Sequence, residues 1–195
     1  MMRRILSKEQ EEKRQKRNGR ILVLFLVIIL LGSSFGIIVN SFDNSNSSTK
    51  MNYNGKEFVY QNGFWIYDAG DYQLGFVYNP EESENVSGQI YTDLTSSVTA
   101  YQNTPVYIYS EEPSAEAEVY RNLYPFVQRI QKACIEGKEC GEDIPVKNCS
   151  DRLIVIESSE LTEIVQNDKC VYIHGSEEDL VKLSDEFLYK IFGIK

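Results

Sequence analysis

The sequence predicts an α+β fold: an N-terminal transmembrane helix, then an antiparallel β-meander and a mixed or antiparallel sheet with two packed helices. Three observations lead there. Residues 21–39 carry no charge and follow a basic leader. Residues 58–78 alternate with period two between turn-forming residues, and apolar residues later recur twice at helical spacing, each time after strand-like runs.

The 19 residues of 21–39 give about 28 Å of helix, close to the roughly 30 Å of bilayer hydrocarbon. Eight cations in residues 1–20 face only Glu9, Glu11 and Glu12, so the positive-inside rule keeps the leader cytoplasmic and sends everything after Val39 outside. The bilayer is therefore an expected partner through 21–39, at the cell membrane. A cleaved signal peptide is the rival, because Gly32, Ser33, Ser34 and Gly36 offer small residues to a peptidase. The long leader and the resumption of apolar residues at Ile37-Ile38-Val39 favour a retained anchor. No Cys follows Leu31-Gly32, which argues against a lipoprotein, and Leu24 stands where a pilin leader after Gly19 would carry Glu.

Residues 40–50 are Ser/Asn-rich and read as a flexible stalk, leaving 51–195 as one extracytoplasmic domain. Without the leader, 12 Lys/Arg stand against 26 Asp/Glu, a net charge of −14. Such a surface repels nucleic acid and anionic headgroups. Solubility accounts for that charge without a cation site, and Asp68-Ala69-Gly70-Asp71 is a turn, not a calcium loop.

Within the domain, residues 58–60, 64–67 and 72–78 read as three strands joined by Asn62-Gly63 and by Asp68–Asp71. Their aromatics are expected to fill a core. After Asn79-Pro80, a polar stretch leads to a buried strand at 105–109. A helix capped by Ser114 is then expected to run through Val119, Leu123, Phe126, Val127 and Ile130 to Cys134, kinked at Pro125. Residues 153–157, 161–166 and 170–174 form three further strands. Ser176 to Asp179 resembles a capping box for a closing helix with Leu180, Leu183, Phe187, Leu188 and Ile191 on its apolar stripe, Lys190 in its last turn and Gly193 beyond it.

Cys134, Cys140, Cys149 and Cys170 are expected as disulfides, since a small domain outside the membrane sits in an oxidising compartment. Four cysteines allow three connectivities. If Glu157 faced Leu161 across a hairpin, antiparallel pairing would carry Cys149 opposite position 169, beside Cys170, leaving Cys134 with Cys140. A zinc site is disfavoured because no C-x-x-C occurs.

No cofactor, metal site or catalytic constellation is expected. His174 is the only histidine; it ends a strand before Gly175, and a nucleophile mechanism would need it as base. No Walker loop, G-x-S-x-G or H-E-x-x-H is present. Asn46-Ser47-Ser48 and Asn85-Val86-Ser87 are glycan acceptor sequons on the expected outer side.

The basic leader, the 21–39 span, the Tyr53–Phe58 opening, the Phe76–Glu82 segment and residues 179–194 together resemble uncharacterised archaeal-type small single-pass membrane proteins with a disulfide-containing extracytoplasmic domain. The resemblance implies the address and no activity, cofactor or catalytic residue. The stalk, the expected disulfides and the lack of a catalytic motif lead to the expectation of a membrane-anchored binding or structural module, not an enzyme, touching another envelope protein. The alternative is a membrane-anchored hydrolase using carboxylates, with or without His174.

Overall fold

The computed structural model describes residues 18, 21–27, 29 and 49–195. Residues 21–27 and 29 are helical, and among the described residues no helix is long and apolar enough to cross a membrane. Most of the leader, of the expected span 21–39 and of the stalk 40–50, including the Asn46 sequon, lies outside the described residues. The chain divides into units 1–47 and 48–195.

Two Asn-Gly pairs shape the first sheet. Strands β1 (Lys50–Tyr53) and β2 (Lys56–Gln61) turn at Asn54-Gly55, with φ +50° and +77°; β2 and β3 (Phe64–Asp68) turn at Asn62-Gly63, with φ +54° and +86°. Both residues of such a two-residue turn need positive φ, which Asn tolerates and Gly adopts freely. β4 (Gln73–Phe76) completes an antiparallel meander in the order β1-β2-β3-β4. β1 is an addition to the expected meander, built partly from residues read as stalk.

The second sheet has the order β5-β11-β12-β10-β6-β7. Its members are β5 (Tyr91–Asp93), β6 (Pro105–Ser110), β7 (Arg129–Lys132), β10 (Leu153–Ser158), β11 (Glu163–Asn167) and β12 (Cys170–Gly175). β10 is central and pairs in parallel with both β6 and β12, while β11 pairs antiparallel to β12. The sheet is therefore mixed, and the hairpin expected between Glu157 and Leu161 does not form. β11 instead crosses to the outer side of β12. The reason lies in β10 itself: Leu153, Ile154, Val155 and Ile156 are all buried, as suits a strand covered on both faces.

Helix α1 (Pro113–Leu123) starts with Pro113 in its first turn, and the Glu112 carboxylate accepts the Ser114 N–H at 2.9 Å, so Glu112 rather than Ser114 is the cap. The helix ends before Pro125 instead of kinking through it. Proline has no N–H to return to the helix, and Ile130 and Cys134 enter strands β7 and β8 (Cys134–Ile135). β8 pairs in parallel with β9 (Val146–Lys147).

Helix α2 (Leu180–Ile191) begins at Leu180 without the expected capping box: the Ser176 hydroxyl donates to the Asp179 carboxylate, which also takes the Ser87 N–H. Its end closes as expected. Gly193 is left-handed at φ +65°, its N–H reaches the Lys190 carbonyl, and the Ile194 N–H reaches Tyr189. α2 lies between the two sheets. Tyr189 packs on Phe76 at 4.3 Å and Phe58 at 6.0 Å from the meander, while Leu183 presses on Gly175 of β12. Leu183 Cδ1 stands 2.3 Å from where a Cβ on residue 175 would be, so only glycine admits the helix this close.

Candidate functional site

Both helices cover one face of the six-stranded sheet, through Val106, Ile108, Ile154, Ile156, Val171 and Ile173. Strand alternation turns Tyr107, Leu153, Val155 and Cys170 to the opposite face, where Ala133, Ile135 and Cys149 pack on them. Two disulfides fix the segment between β7 and β10 there. Cys134 bridges Cys140, with Cα atoms 6.0 Å apart, and Cys149 bridges Cys170 at 4.9 Å. These are the expected pairs, reached by another route: Leu153 lies opposite Cys170 in the parallel pair β10–β12, and Cys149 lies shortly before Leu153.

His174 belongs to the same face, at the far end of β12. Register places it directly opposite Glu157 on β10 and Glu163 on β11, so three titratable side chains form one row across three strands. His174 Nδ1 lies 2.9 Å from Glu163 Oε1, and Nε2 lies 3.7 Å from Glu157 Oε2. Lys138, inside the Cys134–Cys140 loop, forms an ion pair with the other oxygen of Glu157, stands 3.7 Å from Glu111 Oε1 and sits over the Tyr109 ring. The Glu157 carboxylate beside Lys138 holds its ammonium above the usual lysine range. The small disulfide loop thus delivers a cation to the end of the row. The sequence isolates His174 in a sea of carboxylates; only the parallel register identifies which two it faces.

His174 Nδ1 shares a hydrogen bond with Glu163, whereas Glu157 at 3.7 Å lies beyond hydrogen-bond reach of Nε2. Neither ring nitrogen meets a serine hydroxyl or a thiol among the described residues. The Glu163 contact is of the kind that orients a histidine base.

A second titratable cluster is buried between the helices. Glu118 of α1 is 1% exposed and Asp185 of α2 is 0% exposed. Burial and then the neighbouring Glu118 carboxylate push the Asp185 carboxyl well above its ordinary range, so it keeps its proton to higher pH than an exposed aspartate. Its Oδ2 accepts the Tyr78 N–H at 2.8 Å. Glu118 pairs with Arg121, whose Nε donates to the Gly75 carbonyl at 3.1 Å. The Asn122 amide both donates to and accepts from the backbone of Gly75, at 2.9 Å each, and so caps the open edge of β4 as another strand would. This network ties α1, α2 and the meander together.

A hydroxyl-rich cleft of about 520 Å³ opens at the carboxyl ends of β10 and β12, lined by Ser87, Ser158, Ser159, Thr162 and Ser176. Among the described residues no group of three or more His, Cys, Asp or Glu is placed to hold a metal ion. Compared with protein-family models, curated proteins and solved structures, the chain matches none.

Proposed function

We propose that the protein is a membrane-tethered, extracytoplasmic binding or structural module, anchored once through 21–39 and working by surface contact with another envelope protein. The observation that carries this reading is the pair of disulfides holding the 133–152 segment against one face of the six-stranded sheet. Disulfides persist in oxidising compartments, and here they rigidify a surface and do not line a reactive cleft. The apolar run and cation asymmetry of the amino-terminal region support the tether. Protease added to intact cells tests the topology: loss of 49–195 with survival of a membrane-protected amino-terminal fragment supports it, and a fully protected chain contradicts it.

The hydrolase reading draws on one observation, the Glu163–His174 pair at 2.9 Å. It requires ester, amide or glycoside hydrolysis by the purified full chain that His174→Gln abolishes without loss of folding. Such activity would replace the binding-module reading.

A further inference from the structure

We infer that Asn85 is an N-glycan attachment site and that Asn148, which carries the same sequence signal, is closed to modification by the fold. Asn85-Val86-Ser87 and Asn148-Cys149-Ser150 are the two sequons within residues 49–195. The structure gives them opposite settings.

Asn85 is exposed and stands at the centre of a tight turn, with φ −83° and ψ 72° and the Val86 N–H returned to the Glu84 carbonyl at 3.0 Å. Its backbone is held: the carbonyl accepts Lys182 Nζ at 2.7 Å, and Val86 packs inward on the core. Its side chain makes no hydrogen bond among the described residues, so the amide nitrogen is free for transfer.

Asn148 is also exposed, but its side chain is engaged. Its Oδ1 accepts the Ser150 N–H at 3.0 Å and the Ser150 hydroxyl at 2.6 Å, and its Nδ2 donates to Glu136 at 3.1 Å. The middle residue of that sequon is Cys149, tied to Cys170, and Lys169 Nζ donates to the Ser150 carbonyl at 3.0 Å. The acceptor amide and the hydroxyl of this sequon are bound to each other or to neighbours, and its middle residue is pinned by the Cys149–Cys170 bridge.

The reaction joins Asn85 Nδ2 to the anomeric carbon of a sugar activated on a polyisoprenyl phosphate or pyrophosphate. The C–O bond to that carrier breaks, the electron pair leaves with the phosphate, and Nδ2 gives up one proton. Because Ser87 lines the hydroxyl-rich cleft, the glycan stands at its rim.

The inference rests on the extracytoplasmic placement proposed above. Non-reducing peptide mass mapping of the full chain purified from membranes of its native host tests both. Expected are a glycan mass on the Asn85 peptide that Asn85→Gln and Ser87→Ala each remove, an unmodified Asn148 and intact bridges. An unmodified Asn85 with intact bridges overturns the glycan site and leaves the compartment standing. Unmodified Asn85 with four free thiols overturns the compartment reading as well. A glycan on Asn148 overturns the claim that the folded geometry selects between the two.

Discussion

Glu157 and His174 face each other across the parallel strands β10 and β12, with Glu157 Oε2 3.7 Å from His174 Nε2, and Lys138 holds the other oxygen of Glu157. One carboxylate is thus shared between a sheet histidine and a lysine from the small disulfide loop. Lys138 is 46% exposed, so its pairing energy is screened by water. A double-mutant cycle of Lys138→Ala and Glu157→Gln should give a coupling of about 0.2–1 kcal/mol by urea denaturation. A coupling of several kcal/mol would mean that the loop is held mainly by this pair and not by its disulfide.

Asp185 sets a pH dependence whose sign follows from its burial. Its folded pKa lies above its unfolded value, so the folded state holds the proton more tightly, and stability falls as pH rises from about 4 through the raised pKa. Asp185→Asn keeps an acceptor for the Tyr78 N–H and removes the titration. Its melting temperature should therefore gain on the parent as pH rises from 4 to 8. Parallel curves for the two proteins would show that Asp185 is not held protonated.

Gly175→Ala should destabilise by about 1–3 kcal/mol, because the new methyl collides with the fully buried Leu183. Gly141→Ala is the matched control. Its Cβ would meet nothing nearer than Ile144 Cδ1 at 4.0 Å, so it should move the urea midpoint little. Equal effects would remove the close approach of α2 to β12 from the account.

The two disulfides should differ in weight. The Cys149–Cys170 bridge spans a sequence separation of 21 and Cys134–Cys140 one of 6. In the chain-entropy model these contribute roughly 3 and roughly 2 kcal/mol. Cys170→Ser should lower the melting temperature more than Cys140→Ser; the reverse order would place the main staple in the small loop.

Turn chemistry was the most legible feature of the sequence. Asn62-Gly63 marks its hairpin plainly, and Asn54-Gly55 carries the same signal for β1, whose short run Lys50–Tyr53 has only Met51 and Tyr53 as apolar residues to announce a strand. The helix after β6 was legible only as far as its proline. Phe126, Val127 and Ile130 fit an amphipathic helix, but Ile130 belongs to a strand, and a short apolar series serves either period. Strand pairing was the least legible. Sequence neighbours suggest hairpins, whereas the four consecutive buried residues 153–156 point to a central strand covered on both faces, which is where β10 lies. His174 was visible as a lone residue, but Glu157 and Glu163 become its partners only through that pairing.

Alkaline carbonate extraction of native-host membranes tests the tethered-module reading most directly. The reading predicts that the full chain stays in the membrane pellet with its amino-terminal leader attached. Recovery of the protein in the supernatant, or a mature amino terminus near residue 37, would contradict it.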